Sequence, residues 1–170
     1  MKRLTLIRHA NADWKDASVA DFDRPLNKRG FSEAESMGKL LLEQSLVPDL
    51  LLASPARRAQ QTADTIARKL ELPTRRVKSA EHLYLARPDD ILTLVRATGP
   101  RVQHLAIVGH NPGISELARL LGPVDTAVTE LATGAACTLT FNVRTWAAIA
   151  PPATRAVQFE PPGKLFGLFT

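Results

Sequence analysis

Cysteine occurs once, at position 137, in a chain of 170 residues. A single thiol excludes an internal disulfide framework and any cysteine-based zinc cluster. Aromatic residues are only 5% of the chain. None is interleaved with the basic clusters to stack bases, so nucleic acid is not an expected partner. No stretch approaches the ~18 apolar residues of a membrane helix. Met1-Lys2-Arg3 runs straight into Leu4-Thr5-Leu6-Ile7 without the apolar centre of a signal peptide. A soluble cytoplasmic protein with no membrane contact is therefore expected. His-Glu-x-x-His, a Walker glycine loop and a dinucleotide fingerprint are all missing. His104 and His110 lie about 20 Å apart on extended chain, too far for a zinc pair. No metal and no cofactor is expected.

The length suits one domain spanning residues 1–170 with a real core. Hydrophobic residues are 45% and charged residues 23%, an ordinary globular balance. Lysine and arginine outnumber the acids 22 to 17, a net charge of +5. They cluster at Lys28-Arg29, Arg57-Arg58 and the stretch Arg68 to Lys78. Such surfaces suit acidic proteins or phosphorylated groups; the last cluster reads more simply as a solvated helix end and edge strand.

Three continuous apolar runs, Leu4–Ile7, Leu50–Ala53 and Leu105–Val108, lack alternation and fit parallel strands covered on both faces. Helical stripes follow. They are Ala34, Met37, Gly38, Leu41; Ala59, Ala63, Ile66, Ala67, Leu70; and Ile114, Leu117, Ala118, Leu121. Ser54-Pro55 and Asn111-Pro112 read as helix N-caps followed by proline. A further helix is expected from Pro88 to about Thr98, and weaker strands at Thr74–Ser79 and Ala135–Val143. The alternation implies an α/β three-layer sandwich, a mostly parallel central sheet flanked by helices with no cap domain. Residues 150–170 are a Pro-rich wrap with one edge strand at Ala156–Phe159.

The chemistry lies at the strand ends. The first run ends in Arg8-His9, the second in Ser54 with Arg58 one turn later, the third in Gly109-His110-Asn111-Pro112-Gly113. Ligands of open α/β sheets bind outside the carboxyl ends of the strands. Arg58 would lean back toward those ends, Gly109 admits close backbone approach, and the helix after Pro112 offers free N–H groups. Each fragment alone is more simply a surface pair, a capping turn or a solvated face. Together, after three separate buried strands, they describe an anion site containing imidazoles, with phosphate as the natural anion.

Leu6-Ile7-Arg8-His9-Ala10, Ser54-Pro55-Ala56-Arg57-Arg58-Ala59-Gln60-Gln61-Thr62 and Val108-Gly109-His110-Asn111-Pro112-Gly113 together resemble the motifs of the histidine phosphatase superfamily, the phosphoglycerate-mutase-like group. Asp21 to Gly30, with Arg24-Pro25-Leu26 at its centre, is similar to the short SixA-type phosphohistidine phosphatases. The resemblance implies His9 as nucleophile, forming a phosphohistidine intermediate. It implies Arg8 and Arg58 as clamps on the phosphoryl oxygens, His110 as a hydrogen-bond donor to them, and Arg24 as a further phosphate ligand. Neutral imidazole is a competent nucleophile without metal, and arginine forks match phosphoryl oxygens. One nitrogen of His9 must then be held by an acceptor that no motif identifies.

The chain departs from the wider group where many members carry a glutamate that protonates the leaving oxygen. That region reads Ser79-Ala80-Glu81-His82-Leu83-Tyr84, with Glu81 and Asp21 the candidate acids. A missing acid would impair cleavage of alkyl phosphates more than cleavage of phosphohistidine, whose imidazole leaves as a weaker base. The short segment from Glu71 to Arg87 leaves no lid. An open site suits a phosphohistidine-bearing phosphorelay or phosphotransfer protein. The alternatives are a phosphomonoesterase or mutase for a small phosphate ester, and a non-catalytic phospho-binding module. His104 and His82 read as structural or solvent-facing and Cys137 as a small buried strand residue. Trp14, in the loop after His9, lines the pocket on one reading and packs against the domain on the simpler, expected one.

Overall fold

Side chains along six strands turn alternately to two apolar clusters, which makes the centre of the molecule a sheet covered on both faces. The computed structural model describes residues 1–124 and 128–161. The strands are β1 (Lys2–Arg8), β2 (Leu50–Ala53), β3 (Val77–Ser79), β4 (His104–Gly109), β5 (Ala136–Phe141) and β6 (Arg155–Phe159). The helices are α1 (Lys28–Glu43), α2 (Arg57–Lys69), α3 (Pro88–Arg96) and α4 (Gly113–Leu121). Leu4, Leu6, Leu105 and Ile107 face one cluster with Ile91 and Val95 of α3 and Ile114 and Leu117 of α4. Ile7, Ala106 and Val108 face the other, with Met37 of α1 and Ala63 and Ile66 of α2. Burying one such Leu or Ile contributes about 1.5–3 kcal/mol, so the two clusters fix the three layers.

The sheet order is β3-β2-β4-β1-β5-β6. β1 to β4 are mutually parallel, while β5 runs antiparallel to β1 and β6 antiparallel to β5. The expected α/β sandwich with a mostly parallel sheet is the observed one, and no cap covers the carboxyl edge among the described residues. The expected strand at Thr74 shortens to Val77–Ser79. Thr74–Arg76 coil into a 3-10 turn in which Arg76 N donates to Pro73 O (2.8 Å), and only Leu51–Ala53 are available for pairing. The tail forms its edge strand, and Ala153 N donates to Leu121 O (2.7 Å). The rest of the expected wrap, from residue 162, lies outside the described residues.

Asn27 caps α1, its Oδ1 accepting from Gly30 N (2.8 Å). The two expected start signals are displaced. α2 begins at Arg57 and α4 at Gly113, each later than its Ser-Pro or Asn-Pro pair implies. Ser54 and Asn111 share their side chains with other partners. Ser54 Oγ lies 2.7 Å from His110 Nε2 and takes only a long hydrogen bond from Ala56 N (3.3 Å). Asn111 Nδ2 donates to Leu131 O (3.0 Å), and its Oδ1 accepts from Ser115 Oγ (2.6 Å).

Candidate active site

Register places the candidate residues at one level. Arg8 pairs with Gly109 and Ala53 with Val108 across three adjacent strands. The ladder continues one residue further, with His9 N donating to Gly109 O and Ser54 N to Val108 O, both 3.0 Å. Hence Arg8, His9, Ser54 and His110 leave the sheet side by side. The turn after β1 is then pinned from two directions. Ala10 N donates to Thr62 Oγ1 (3.0 Å), and Thr62 Oγ1 in turn donates to Arg58 O (2.7 Å), tying the turn to α2. From α1, the buried Glu33 carboxylate accepts from Asn11 N and from Arg29 Nε, both 2.9 Å.

Within this frame His9 and His110 stand 5.1 Å apart between ring centroids, with Arg58 bridging them. Arg58 Nε donates to His9 Nε2 and Nη2 lies against His110 Nδ1, each at 3.3 Å. A guanidinium can only donate, so both facing ring nitrogens are unprotonated. The other nitrogens therefore carry the protons. His9 Nδ1–H donates to Ala10 O (2.8 Å), and His110 Nε2–H to Ser54 Oγ (2.7 Å). Ala10 O is thus the acceptor that holds the His9 ring and turns Nε2 to the cavity. Burial is the main reason both imidazoles stay neutral. It pushes His9 down to about 4, against the pull of the Ala10 carbonyl and with help from the Arg58 and Arg8 charges. Burial, then the neighbouring His9 and Arg58, pushes His110 down to about 3.

The cavity they line measures about 260 Å³, and its wall also includes Arg8, Trp14, Asp21 and Leu85. Arg8 Nη1 donates to Leu131 O (2.9 Å), and its buried Nε has no protein partner. Asp21 is the only carboxylate among the described wall residues. Its Oδ2 accepts from Arg58 Nη2 (3.1 Å) and from the Tyr84 hydroxyl (2.7 Å), and its backbone carbonyl accepts from Arg58 Nη1. Partial burial works to raise the Asp21 carboxyl. The hydrogen bonds from Tyr84 and Arg58 outweigh it and hold the group below the usual carboxylate range. Among the described residues no cluster of three or more His, Cys, Asp or Glu could hold a metal.

The structure thus brings Arg8, His9, Arg58 and His110 together. Arg24 stands back from that wall, its guanidinium 4.3 Å from the centre of the Trp14 ring. Trp14 itself is 65% exposed and lines the cavity, rather than packing against the domain as expected, because Arg24 covers one side of the ring. Of the two candidate acids, Asp21 is in the wall and Glu81 is not. His104 is buried and lies 2.8 Å from Thr5 Oγ1, a structural role. His82 is exposed, and Cys137 is fully buried, its thiol pushed up to about 12 by burial. Tyr84 and Glu33 were not legible as site residues. Tyr84 follows a 3-10 turn with no recognisable spacing to Asp21, and Glu33 sits beside a helical stripe like any flanking acid. Thr62 did carry a signal, since it lies one helical turn after Arg58 on the same face of α2.

The family model of the histidine phosphatase superfamily (branch 1) matches residues 4–81. An uncharacterised protein of Mycobacterium tuberculosis is 37% identical over 127 residues, spanning 73% of this chain and 77% of that one. Among solved structures, a protein assigned as the phosphohistidine phosphatase SixA of Agrobacterium tumefaciens is 31% identical. It superposes with a TM-score of 0.74 over 85% of this chain and 94% of its own. The protein histidine phosphatase SixA complexed with tungstate gives a TM-score of 0.79 over 94% and 97%; at 24% identity that likeness bears on the fold alone. This chain belongs to the histidine phosphatase superfamily, is of the SixA type, and is a phosphatase.

Proposed function

We propose that this phosphatase hydrolyses phosphohistidine on a phosphorelay or phosphotransfer protein, through a covalent intermediate on His9 and without metal. The observation that carries the reading is the His9 ring, tethered through Nδ1–H to Ala10 O with unprotonated Nε2 turned to the cavity beside Arg58. The Nε2 lone pair attacks phosphorus, a P–N bond forms, and the substrate's own P–N bond breaks, its imidazole leaving with a proton from solvent. Water then attacks the phosphorus on His9. Inorganic phosphate departs, one proton is released, and His9 Nε2 recovers its lone pair. Arg8 and Arg58 hold the phosphoryl oxygens, joined by His110, and Arg24 adds positive charge from behind Trp14.

Asp21 supports the substrate class. A general acid must hold a proton, and this carboxylate is kept ionised by Arg58 and Tyr84. The site is therefore poorly furnished to protonate a basic alkoxide, and a P–N bond suffers least from that lack.

The test compares turnover of a phosphohistidine-bearing protein with a panel of sugar and nucleotide phosphates, in chelator. The phosphohistidine protein should react fastest, His9→Ala should abolish turnover, and radiolabelled phosphate should be trapped on wild type but not on His9→Ala. An ester turned over far faster would make the enzyme a small-metabolite phosphomonoesterase. Full activity in His9→Ala would overturn the covalent route. Tight binding of the phosphoprotein without hydrolysis would leave a phospho-binding module.

A further inference from the structure

Three large apolar side chains stand exposed around the mouth of the cavity: Trp14 (65%), Leu85 (58%) and Phe22 (40%). Trp14 and Leu85 are in the wall itself, and Phe22 packs edge-on against Tyr84 at 5.1 Å. Leu85 is held at φ 48°, in the left-handed region that a leucine seldom adopts. On its far side Leu85 borders a second depression of about 680 Å³, between the segment 81–86 and the outer face of α3. Tyr84, Leu94 and Ala97 form the apolar part of that groove, Glu81 supplies negative charge, and Asp90 beside it is shared with Arg87 (Nε to Oδ2 3.9 Å). Leu85 thus separates a cationic phosphate cavity from a larger apolar groove with acidic edges.

We infer that the groove of Glu81, Tyr84, Leu85, Asp90, Leu94 and Ala97 binds the polypeptide flanking the phosphohistidine, and that it selects apolar side chains accompanied by a basic residue. The inference rests on the phosphohistidine reading above and specifies the substrate's surroundings. His9 is only 8% exposed, so the cavity takes the phosphorylated ring and whatever the ring is attached to must lie outside. The groove adjoins the cavity, Leu85 lining both, and exposed apolar patches beside a site mark contact surfaces. A small polar phosphate ester would leave Trp14, Phe22 and the groove in water. A polypeptide covers them. The sign of charge changes along the path, from arginines around the phosphoryl group to carboxylates in the groove, and complementarity asks for phosphate followed by lysine or arginine.

The probes are free phosphohistidine and two short peptides carrying phosphohistidine, one flanked by leucine and lysine, the other by aspartate. Wild type should show kcat/KM about tenfold higher for the leucine–lysine peptide than for free phosphohistidine, and no gain for the aspartate peptide. Glu81→Lys puts a positive charge where the groove has a carboxylate, and Ala97→Trp fills its end. Both positions are exposed, so neither variant threatens the core. Each should remove most of the peptide advantage while turnover of free phosphohistidine stays at the wild-type rate. Equal turnover of both peptides, or variants that slow peptide and free phosphohistidine alike, would overturn the groove and leave the activity standing. Failure to hydrolyse any of the three probes would instead overturn the proposed substrate class, and the groove assignment with it.

Discussion

Arg58 donates in one direction to His9 and His110 and in the other to Asp21, and that sharing defines what binding must change. An arriving oxyanion needs the same N–H groups, and it needs a donor from His110, whose Nδ1 is unprotonated in the free protein. His110 can donate there by taking up a proton, or by shifting its ring proton to Nδ1 while the Ser54 hydroxyl turns to donate to Nε2. Burial and its neighbours push the free imidazole down to about 3, so on the first route a proton arrives with the anion. Tungstate binding by that route takes up about one proton, and affinity falls with rising pH by up to about tenfold per unit. Calorimetry in buffers of different ionisation heat measures the uptake directly. Uptake unchanged in His110→Gln would show that another group takes the proton, and zero uptake would leave the ring-proton shift or another donor. Asp21 acts with the opposite sign, since its carboxylate competes with phosphate for Arg58 Nη2. Asp21→Asn keeps an acceptor for Tyr84 and removes the charge. The inhibition constant for inorganic phosphate should drop about fivefold, roughly 1 kcal/mol of relieved repulsion. A rise would mean that Asp21 chiefly positions Arg58.

Helix α1 reaches the site through one buried side chain. The stripe Ala34, Met37, Gly38, Leu41 is buried as its spacing indicates, and that stripe explains why α1 packs on the sheet. It says nothing of Glu33, because periodicity reports which face is apolar and not which polar group is carried inward beside it. Glu33 is 7% exposed and holds the turn after His9 by Asn11 N. Gly134 (φ 73°) packs against Glu33 and donates its N–H to the Arg8 and His9 carbonyls, both 3.2 Å. Glu33→Ala leaves the Asn11 N–H without its acceptor. The cost should be about 2 kcal/mol, lowering Tm by roughly 4–8 °C. Well below Tm, kcat should still fall, because His9 has lost the support of its turn, whereas Glu33→Gln keeps an acceptor and should recover most of both losses. Unchanged kcat in the folded Glu33→Ala protein would make this contact purely structural. The displaced starts of α2 and α4 have the same origin as the hidden Glu33. Ser54 and Asn111 look like caps in one dimension, and only the packed strands reveal that their side chains are claimed by His110 and by Leu131.

For the whole molecule, the mostly parallel sheet and the gathering of Arg8, His9, Arg58 and His110 at one rim were legible because buried runs and the residues ending them are local features, whereas the order of the strands in the sheet was not. Charge burial was not, since it depends on what packs above each residue. Three of the four histidines prove to be buried, and in each the cause is chiefly loss of water. His9 and His104 are pushed down to about 4 and His110 to about 3. The unfolded chain takes up their protons near pH 6.5, and the folded chain does not until well below it. Their neutral burial is thus no burden above about pH 6.5, and stability declines as pH falls from 6.5 toward 4, where the unfolded state binds more protons. At pH 5 each histidine can cost up to roughly 2 kcal/mol, a substantial part of the 5–15 kcal/mol typical of folded domains. Urea midpoints should drop steeply between pH 7 and 5. His104→Gln should flatten part of that slope without touching the site. Where the bound anion brings His110 its proton, saturating tungstate should flatten the part of the slope due to that residue. A midpoint independent of pH over that range would show that these imidazoles are not neutral in the folded protein, and the unprotonated His9 Nε2 on which the nucleophilic role depends would go with them.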